Sequence, residues 1–560
     1  MFKKFVPAFE WLTAYKKTDL TGDMSAGLIV AIMLIPQGMA YAMLAGLPPV
    51  IGLYASTVPL IIYALFGTSR QLAVGPVAMV SLLVLTGVST ITDPGTSDYI
   101  SLVLLLTLMI GVIQLLMGLF KLGFLVNFMS HAVISGFTSA AAIIIGLSQL
   151  KHLIGVSLEA DKNVFLIMIE TVNRLSEINP ITLGIGLISI GLLLTLKKIV
   201  KRVPAPLIIV LLSTLTVYYF EWHQSGVSIV GNVPSGLPSL SLPVINVKAL
   251  IQLLPIALTI AFVGFMESIA MAKAIAAKEK YKVMPNKELR GLGLANIGSS
   301  FFSGFPVTGG FSRSAVNYQS GARTPLATII TAIFIILTLI FFTEWFYYLP
   351  NAVLAAIIMV AVYSLIDFRE VKQLLKINKV DGSVWLVTFL TTLIFGIVEG
   401  ILIGIIYSLL IFVWRSAYPH VAELGYLQKE HVYRNIKRYP EVTTEQDILI
   451  FRFDSSLFFA NISFYEEKLG KRLVDKSETK WVILDFSGVN SIDAVALHAL
   501  EDMIEAQSHD HEVTFLFSGV KGPVKDLIIR AEWGEEYEKH IHYLSINHAH
   551  KTIKAGDIGA

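Results

Sequence analysis

Apolar residues fill a series of runs between residues 20 and 415, each long enough to cross or partly cross a bilayer and separated from the next by a short polar loop. About fourteen such runs can be counted, several of them short and interrupted by Gly or Pro. Beyond Arg415 the pattern changes. Charged residues interleave with short β-rich runs at 448–453, 481–486 and 513–517, with helix-like stretches between them. This pattern predicts a polytopic α-helical membrane domain followed by a cytoplasmic α/β domain. The expected boundaries are an N-terminal segment at 1–19, the membrane domain at 20–415, a linker at 416–437, the α/β domain at 438–552 and a tail at 553–560.

Composition sharpens the class. Of 560 residues 54% are hydrophobic and 15% charged, with a mean hydropathy of +0.69, which excludes an ordinary soluble enzyme of this size. The net charge of +2 comes from basic residues gathered in short loops rather than on one face, so nothing favours nucleic-acid binding. There is no cysteine, which removes disulfides, thiolate metal sites and cysteine nucleophiles; no cofactor and no metal are expected. The start of the chain, MFKKFVPAFEWLTAYKK, lacks the apolar core and cleavage site of a signal peptide and reads as an amphipathic lead-in.

The basic loops also orient the chain. Lys197, Lys198, Lys201 and Arg202 mark one loop, Lys273, Lys278, Lys280, Lys282, Lys287 and Arg290 a second, and Arg369, Lys372, Lys376 and Lys379 a third, whereas 90–98, 221–246 and 343–349 contain no Lys or Arg. The positive-inside rule then puts those three loops and both termini in the cytoplasm. No Walker-type glycine loop occurs, so an ion gradient rather than ATP is the expected energy source.

Two interrupted runs carry the candidate chemistry. LAVGPVAMVS at 72–81 breaks at Gly75-Pro76, and GSSFFSGFPVTGGFSRSAVN at 298–317 breaks at Gly309-Gly310 just before Ser312 and Arg313. Short, broken segments in corresponding places of two halves point to an inverted-repeat transporter with its site at the bilayer midplane. Each break can open a half-helix whose N–H groups and positive dipole end attract an anion. Arg313 adds a full charge and a fork of donors, and Ser312 a hydroxyl. An arginine that snorkels to the interface is the plain alternative. Glu267, flanked by apolar residues in AFVGFMESIAMA, is placed to exchange a proton as the site fills; a static ion pair with Arg313 is its plain alternative. In the first run, Pro36 is expected to end a helix and to leave Gln37 and Tyr41 beyond the break. His131 falls where the fifth run begins and reads as an interfacial histidine satisfied by headgroups or backbone.

PQGMAYAMLAGLPPVIGLYAS (36–56), GTSRQLAVGPVAMVSLL (67–83), GFMESIAMAKA (264–274) and GFPVTGGFSRSAVN (304–317) together resemble the SulP sulfate permease family, in order and across essentially the whole chain. The resemblance implies fourteen spans in two inverted seven-span repeats, a core domain moving against a gate domain, and a homodimer. It implies an anion held between the starts of spans three and ten by Val77, Ala78, Phe311, Ser312 and Arg313, with Gln37 and Tyr41 contributing from span one. Glu267 matches the acidic position associated with cation or proton coupling, and its being Glu leans towards protons.

The stretch DFSGVNSID at 485–493 resembles the signature of the STAS domain, with Asp493 as a helix cap. In the regulatory antagonists of that group a phosphorylated Ser follows the aspartate; here Ala494 stands there, which argues against the phosphoswitch. Ser487 and Ser491 remain unsupported acceptors. His540, His542, His548 and His550 read as incidental surface residues rather than a metal or pH site.

The expected function is secondary active, proton-coupled sulfate uptake by alternating access, by a multi-pass protein of the plasma membrane, the inner membrane in a bacterium. It is not an enzyme. Sodium-dependent bicarbonate or C4-dicarboxylate transport is the alternative, and an anion channel or a signalling membrane receptor is the alternative from another class.

Overall fold

The computed structural model describes residues 7–124, 130–156, 164–199, 205–511, 513–531, 533 and 540–556. Lys201 and Arg202, and parts of the expected N-terminal segment and tail, lie outside the described residues. The chain divides into two compact units at Ser408 and Leu409.

The first unit is helical, and its elements follow the apolar runs. They are α1 (Ala8–Thr13), α2 (Leu20–Leu44), α3 (Pro49–Tyr54), α4 (Val58–Phe66), β1 (Val74–Gly75), α5 (Ala78–Val88), α6 (Ser97–Leu119), α7 (His131–Ser148), α8 (Leu150–Ile154), α9 (Val164–Asn173), α10 (Pro180–Ile199) and α11 (Ala205–Tyr219). Then come α12 (Val247–Lys278), α13 (Pro285–Phe301), β2 (Thr308–Gly309), α14 (Phe311–Gln319), α15 (Leu326–Phe341), α16 (Asn351–Tyr363), α17 (Phe368–Ile377), α18 (Lys379–Phe395) and α19 (Ile397–Ala417), the last running across the division between the units. Among the described residues seven helices are long and apolar enough to cross a membrane, and five shorter apolar helices accompany them.

The two repeats are visible in the order of elements. Each opens on a long helix with an internal proline, Pro36 in α2 and Pro255 in α12, and each carries a two-residue strand immediately before a short helix. Helix α5 has 11 residues and α14 has 9. At 1.5 Å per residue they are roughly 15 Å long, about half the hydrocarbon thickness of a bilayer.

One expectation fails here. Pro36 does not end a helix, because α2 continues through it from Leu20 to Leu44. A transmembrane helix buried among neighbours tolerates the lost hydrogen bond. The consequence is that Gln37 and Tyr41, four residues apart, sit on one face of an unbroken helix.

Two buried carboxylates tie the helical unit together. Glu288 of α13, fully buried, accepts hydrogen bonds from the Tyr63 hydroxyl (2.6 Å), the Ser69 N–H (3.0 Å) and the N–H and hydroxyl of Thr68. Asp23 of α2, also fully buried, accepts from the N–H groups of Arg323 (2.7 Å) and Thr324 (3.0 Å) and from the Thr324 hydroxyl (2.6 Å). Each fastens a loop that leads into or out of one of the short helices. His131 likewise has a protein partner: its Nδ1 lies 2.6 Å from Glu370 Oε1.

In the second unit a sheet of order β4-β3-β5-β6-β7 is formed by β3 (Val421–Leu427), β4 (Val432–Asn435), β5 (Ile448–Phe453), β6 (Trp481–Asp485) and β7 (Thr514–Ser518). Strands β5, β6 and β7 run parallel, while β3 and β4 are antiparallel additions at one edge. This sheet therefore begins inside the segment expected as linker. Alternate residues of β5 feed two cores. Leu449, Phe451 and Phe453 pack with Tyr465 and Leu469 of α20 (Ile462–Asp475) and with Leu497 and Leu500 of α21 (Ala494–His511). Ile448 and Ile450 join the opposite core, which includes Ala549 of the C-terminal helix Ile546–Ala555. Asp493 caps α21 as expected, accepting from the Ala496 N–H at 2.8 Å.

Candidate functional site

The site is built by a two-stranded sheet with two residues on each strand. Strand β1 pairs antiparallel with β2, Val74 opposite Gly309 and Gly75 opposite Thr308. Gly310 N–H donates to the Ala73 carbonyl (3.1 Å) and Ala73 N–H to the Ser314 hydroxyl (2.9 Å), so both flanks of the ladder are fastened. Because the strands are antiparallel and each runs directly into a helix, α5 and α14 leave the ladder in opposite directions with their N-termini together. No side chain caps either helix at Val77 or Gly310. The first-turn N–H groups and the positive ends of two helix dipoles are therefore gathered at one place.

The side chains divide by face. On α14, Arg313, Ser314 and Asn317 are buried, whereas Phe311 and Ser312 are exposed. Val77 and Ala78 are buried at the start of α5. Arg313, 1% exposed, donates from Nη1 to the Pro76 carbonyl at 2.6 Å, while its Nε and Nη2 are buried without a hydrogen-bond partner. Two glycines make room for this guanidinium. A Cβ at Gly310 would lie 2.8 Å from Nη2, and one at Gly75, whose φ is +154°, would lie 3.3 Å from it.

Glu267 is brought to the same place by α12. Thr308 of β2 donates from its hydroxyl to the Gly264 carbonyl (2.5 Å), and the Ser268 hydroxyl accepts from the Gly309 N–H (2.8 Å). The residue between these anchors carries a carboxylate whose Oε2 is buried and unpartnered. Among the described residues no ion pair within 4.0 Å joins Glu267 to Arg313, so the static pair is not formed, although both groups and Tyr41 interact electrostatically. Gln37 and Tyr41 of α2 are buried, and Gln37 Oε1 has no partner. Orphaned donors on Arg313 thus share a region with orphaned acceptors on Glu267 and Gln37. Buried polar groups are ordinarily paired, and a cluster left open marks a place where something else binds.

Some supporting groups were not apparent from the sequence. Asn296 of α13 holds the approach to β2, its side chain bonding both the Val307 N–H (2.8 Å) and the Val307 carbonyl (3.0 Å). Asn317 donates to the Gln71 carbonyl at 2.9 Å. A polar amide inside an apolar run is the signal that could have found them. In the second unit His550 and His540 are engaged, with Glu445 and the Phe515 carbonyl. No cluster among the described residues has the make-up of a metal site.

The sulfate permease family profile matches residues 20–388, and the STAS domain profile matches 439–542. The chain belongs to the sulfate permease family. It is 41% identical over 540 residues to sulfate transporter 4.1, chloroplastic, of Arabidopsis thaliana, covering 93% of this chain and 78% of the relative. It is 37% identical over 519 residues to high affinity sulfate transporter 2 of Stylosanthes hamata, covering 89% and 78%. Among solved structures, murine Slc26a9, an anion transporter in its inward-facing state, superimposes with a TM-score of 0.91 at 25% identity over 99% of this chain and 94% of that one. The transmembrane domain of a cyanobacterial bicarbonate transporter, BicA, matches in fold at a TM-score of 0.61 and 24% identity, over 70% of this chain and 98% of that one. Membership makes this chain a membrane transport protein and not an enzyme, and its C-terminal unit a STAS domain.

Proposed function

We propose that this chain is a secondary active anion transporter that takes up sulfate together with protons. The anion sits between the starts of α5 and α14, bound by N–H groups at Val77, Ala78, Phe311 and Ser312 and by the Ser312 hydroxyl. Arg313 supplies charge from behind, and Gln37 and Tyr41 close the side formed by α2. The observation that carries this reading is the pairing of β1 with β2, which gathers two uncapped helix starts over a buried arginine with two unpartnered nitrogens. The names of the plant relatives supply the choice of sulfate.

Charge supplies the choice of coupling. Each helix start contributes roughly half a positive charge and Arg313 one more, so the site offers roughly two positive charges to a dianion. An ionised Glu267 takes one away. A proton on its unpartnered Oε2 restores the match, and sulfate and proton then enter together. Alternating access follows when the neutralised core, latched as one body by β1 and β2, moves relative to the remaining helices. We place both termini in the cytoplasm, the protein in the plasma membrane as a homodimer, and the transport and STAS domains at 20–415 and 438–552.

The test is uptake of labelled sulfate by the purified chain in liposomes, with and without inward proton and sodium gradients, and with bicarbonate, fumarate or chloride as competitor. Saturable uptake driven by the proton gradient supports the reading. Uptake driven by sodium alone, or of bicarbonate in preference to sulfate, overturns it.

A further inference from the structure

Helix α17 follows α16 after a break at 364–367 and differs from the apolar helices in composition. It has 10 residues, about 15 Å of helix, and a charged residue on every turn. Its inner face is held: Val371 is buried, and Glu370 receives a hydrogen bond from the Ser135 hydroxyl while its other oxygen meets His131. The Phe368 ring leans on Trp385 and Phe389, with ring centres 6.2 and 5.8 Å away. Beside this face, Phe368, Leu375 and Ile377 remain 49%, 38% and 74% exposed. On the outer face Arg369, Lys372 and Lys376 follow one another at helical spacing, all exposed, and exposed Lys379 comes just after. None of these four has an ion-pair partner within 4.0 Å among the described residues, since the acid on their own helix is taken up by His131 and Ser135.

A short helix with a basic face, exposed apolar flanks and firm anchorage to a membrane domain has the composition of one that lies in the interface rather than crossing it. We propose that α17 is a docking surface for anionic phospholipid: Arg369, Lys372, Lys376 and Lys379 bind the headgroup phosphates, and Phe368, Leu375 and Ile377 enter the acyl boundary. Clustered basic residues at a membrane surface attract anionic lipid and lose that attraction in high salt. Helix α17 thereby couples the lipid charge of its leaflet to Ser135 of α7 and Trp385 of α18, which its own residues contact. The proposal does not depend on which anion is carried.

Because the chain has no cysteine, Gln373→Cys places a single fluorescent label on the exposed side of α17. The labelled full chain is reconstituted in mixed phosphatidylcholine and phosphatidylglycerol vesicles. Quenching is measured with a trace of headgroup-nitroxide phosphatidylglycerol or, in parallel, of headgroup-nitroxide phosphatidylcholine. The anionic tracer is expected to quench about threefold more than the neutral one, and this excess to vanish in high salt and in R369Q/K372Q/K376Q. Equal quenching by the two tracers, no quenching by either, or an excess that survives the triple substitution overturns the proposal. If the triple variant fails to elute as folded protein, the salt titration decides alone, and an excess that persists in high salt is a refutation.

Discussion

The Arg313 guanidinium donates to the Pro76 carbonyl at 2.6 Å, so the charge carried by one broken helix is fastened to the chain that leads into the other. One nitrogen is thereby used for structure while Nε and Nη2 are left open. A lysine gathers its three donors on one nitrogen and lacks the planar fork that lets separate nitrogens hold Pro76 and face an anion. Arg313→Lys is accordingly expected to lower sulfate uptake by at least about tenfold, and Arg313→Ala to abolish it. Both are read in liposomes at matched amounts of folded protein, and full uptake by either contradicts the assignment.

Gly310 tests the same geometry without removing a polar group. In Gly310→Ala the new methyl meets the guanidinium at 2.8 Å, and relieving such a contact costs about 1–3 kcal/mol. Uptake should fall severely while the protein still assembles in the membrane. A smaller effect than that of Arg313→Ala is expected, since the charge remains.

Glu267 is predicted to carry the proton. A glutamine has nearly the same shape and is permanently neutral, so Glu267→Gln should bind sulfate and exchange it yet lose the acceleration by an inward proton gradient. The check is the ratio of uptake with and without the gradient, expected to fall to one. An unchanged ratio would remove Glu267 from the coupling role.

Glu288 should govern stability rather than transport. Glu288→Ala strands the buried Tyr63 hydroxyl and the loop donors at Thr68 and Ser69, at a cost of about 3 kcal/mol or more. The unfolding temperature of the detergent-solubilised protein should drop by several degrees, with the surviving folded fraction keeping its affinity for sulfate.

A pH effect is expected in the STAS domain, where Glu445 meets His550 at 2.8 Å and also Lys554, both on the C-terminal helix. Burial pushes the Glu445 carboxyl up, but the hydrogen bonds from Lys554 and His550 outweigh it and hold the group below its ordinary value of 4.5. A group depressed in this way stabilises the folded form above its ordinary value, and that contribution is lost as the pH falls below it. Glu445→Gln should therefore speed amide exchange over Ile546–Ala555 at neutral pH, and the difference from the parent should shrink as the pH is lowered from 4.5 through the depressed folded-state value, measured by mass spectrometry.

Much of this was legible in the chain because the relevant signals are local. A glycine pair beside an arginine inside an apolar run is visible without any partner, and so is a carboxylate such as Glu267 with apolar neighbours on both sides. The strands of the STAS core announce themselves by β-branched runs, and they fall within a residue or so of where the pattern put them. What stayed hidden is pairwise. Nothing near Asp23 indicates that its acceptors are wanted by Arg323 and Thr324, some three hundred residues away. Pro36 reads as a terminator because local chemistry disfavours it in a helix, and only tertiary burial overrides that preference. Strand β3 is largely buried but carries Glu423 among its buried residues, and β4 is only partly buried, so neither has an apolar periodicity strong enough to separate it from a linker.

The two-residue ladder between β1 and β2 also bears on how the protein is made. Val74 and Gly75 leave the ribosome long before Thr308 and Gly309, an interval on the order of tens of seconds at ordinary rates of synthesis. Throughout it the first repeat holds a strand edge with no partner inside a membrane, where open backbone groups are costly. Insertion must therefore shelter that edge until the second repeat arrives, and a nascent chain halted before residue 308 is left with it open.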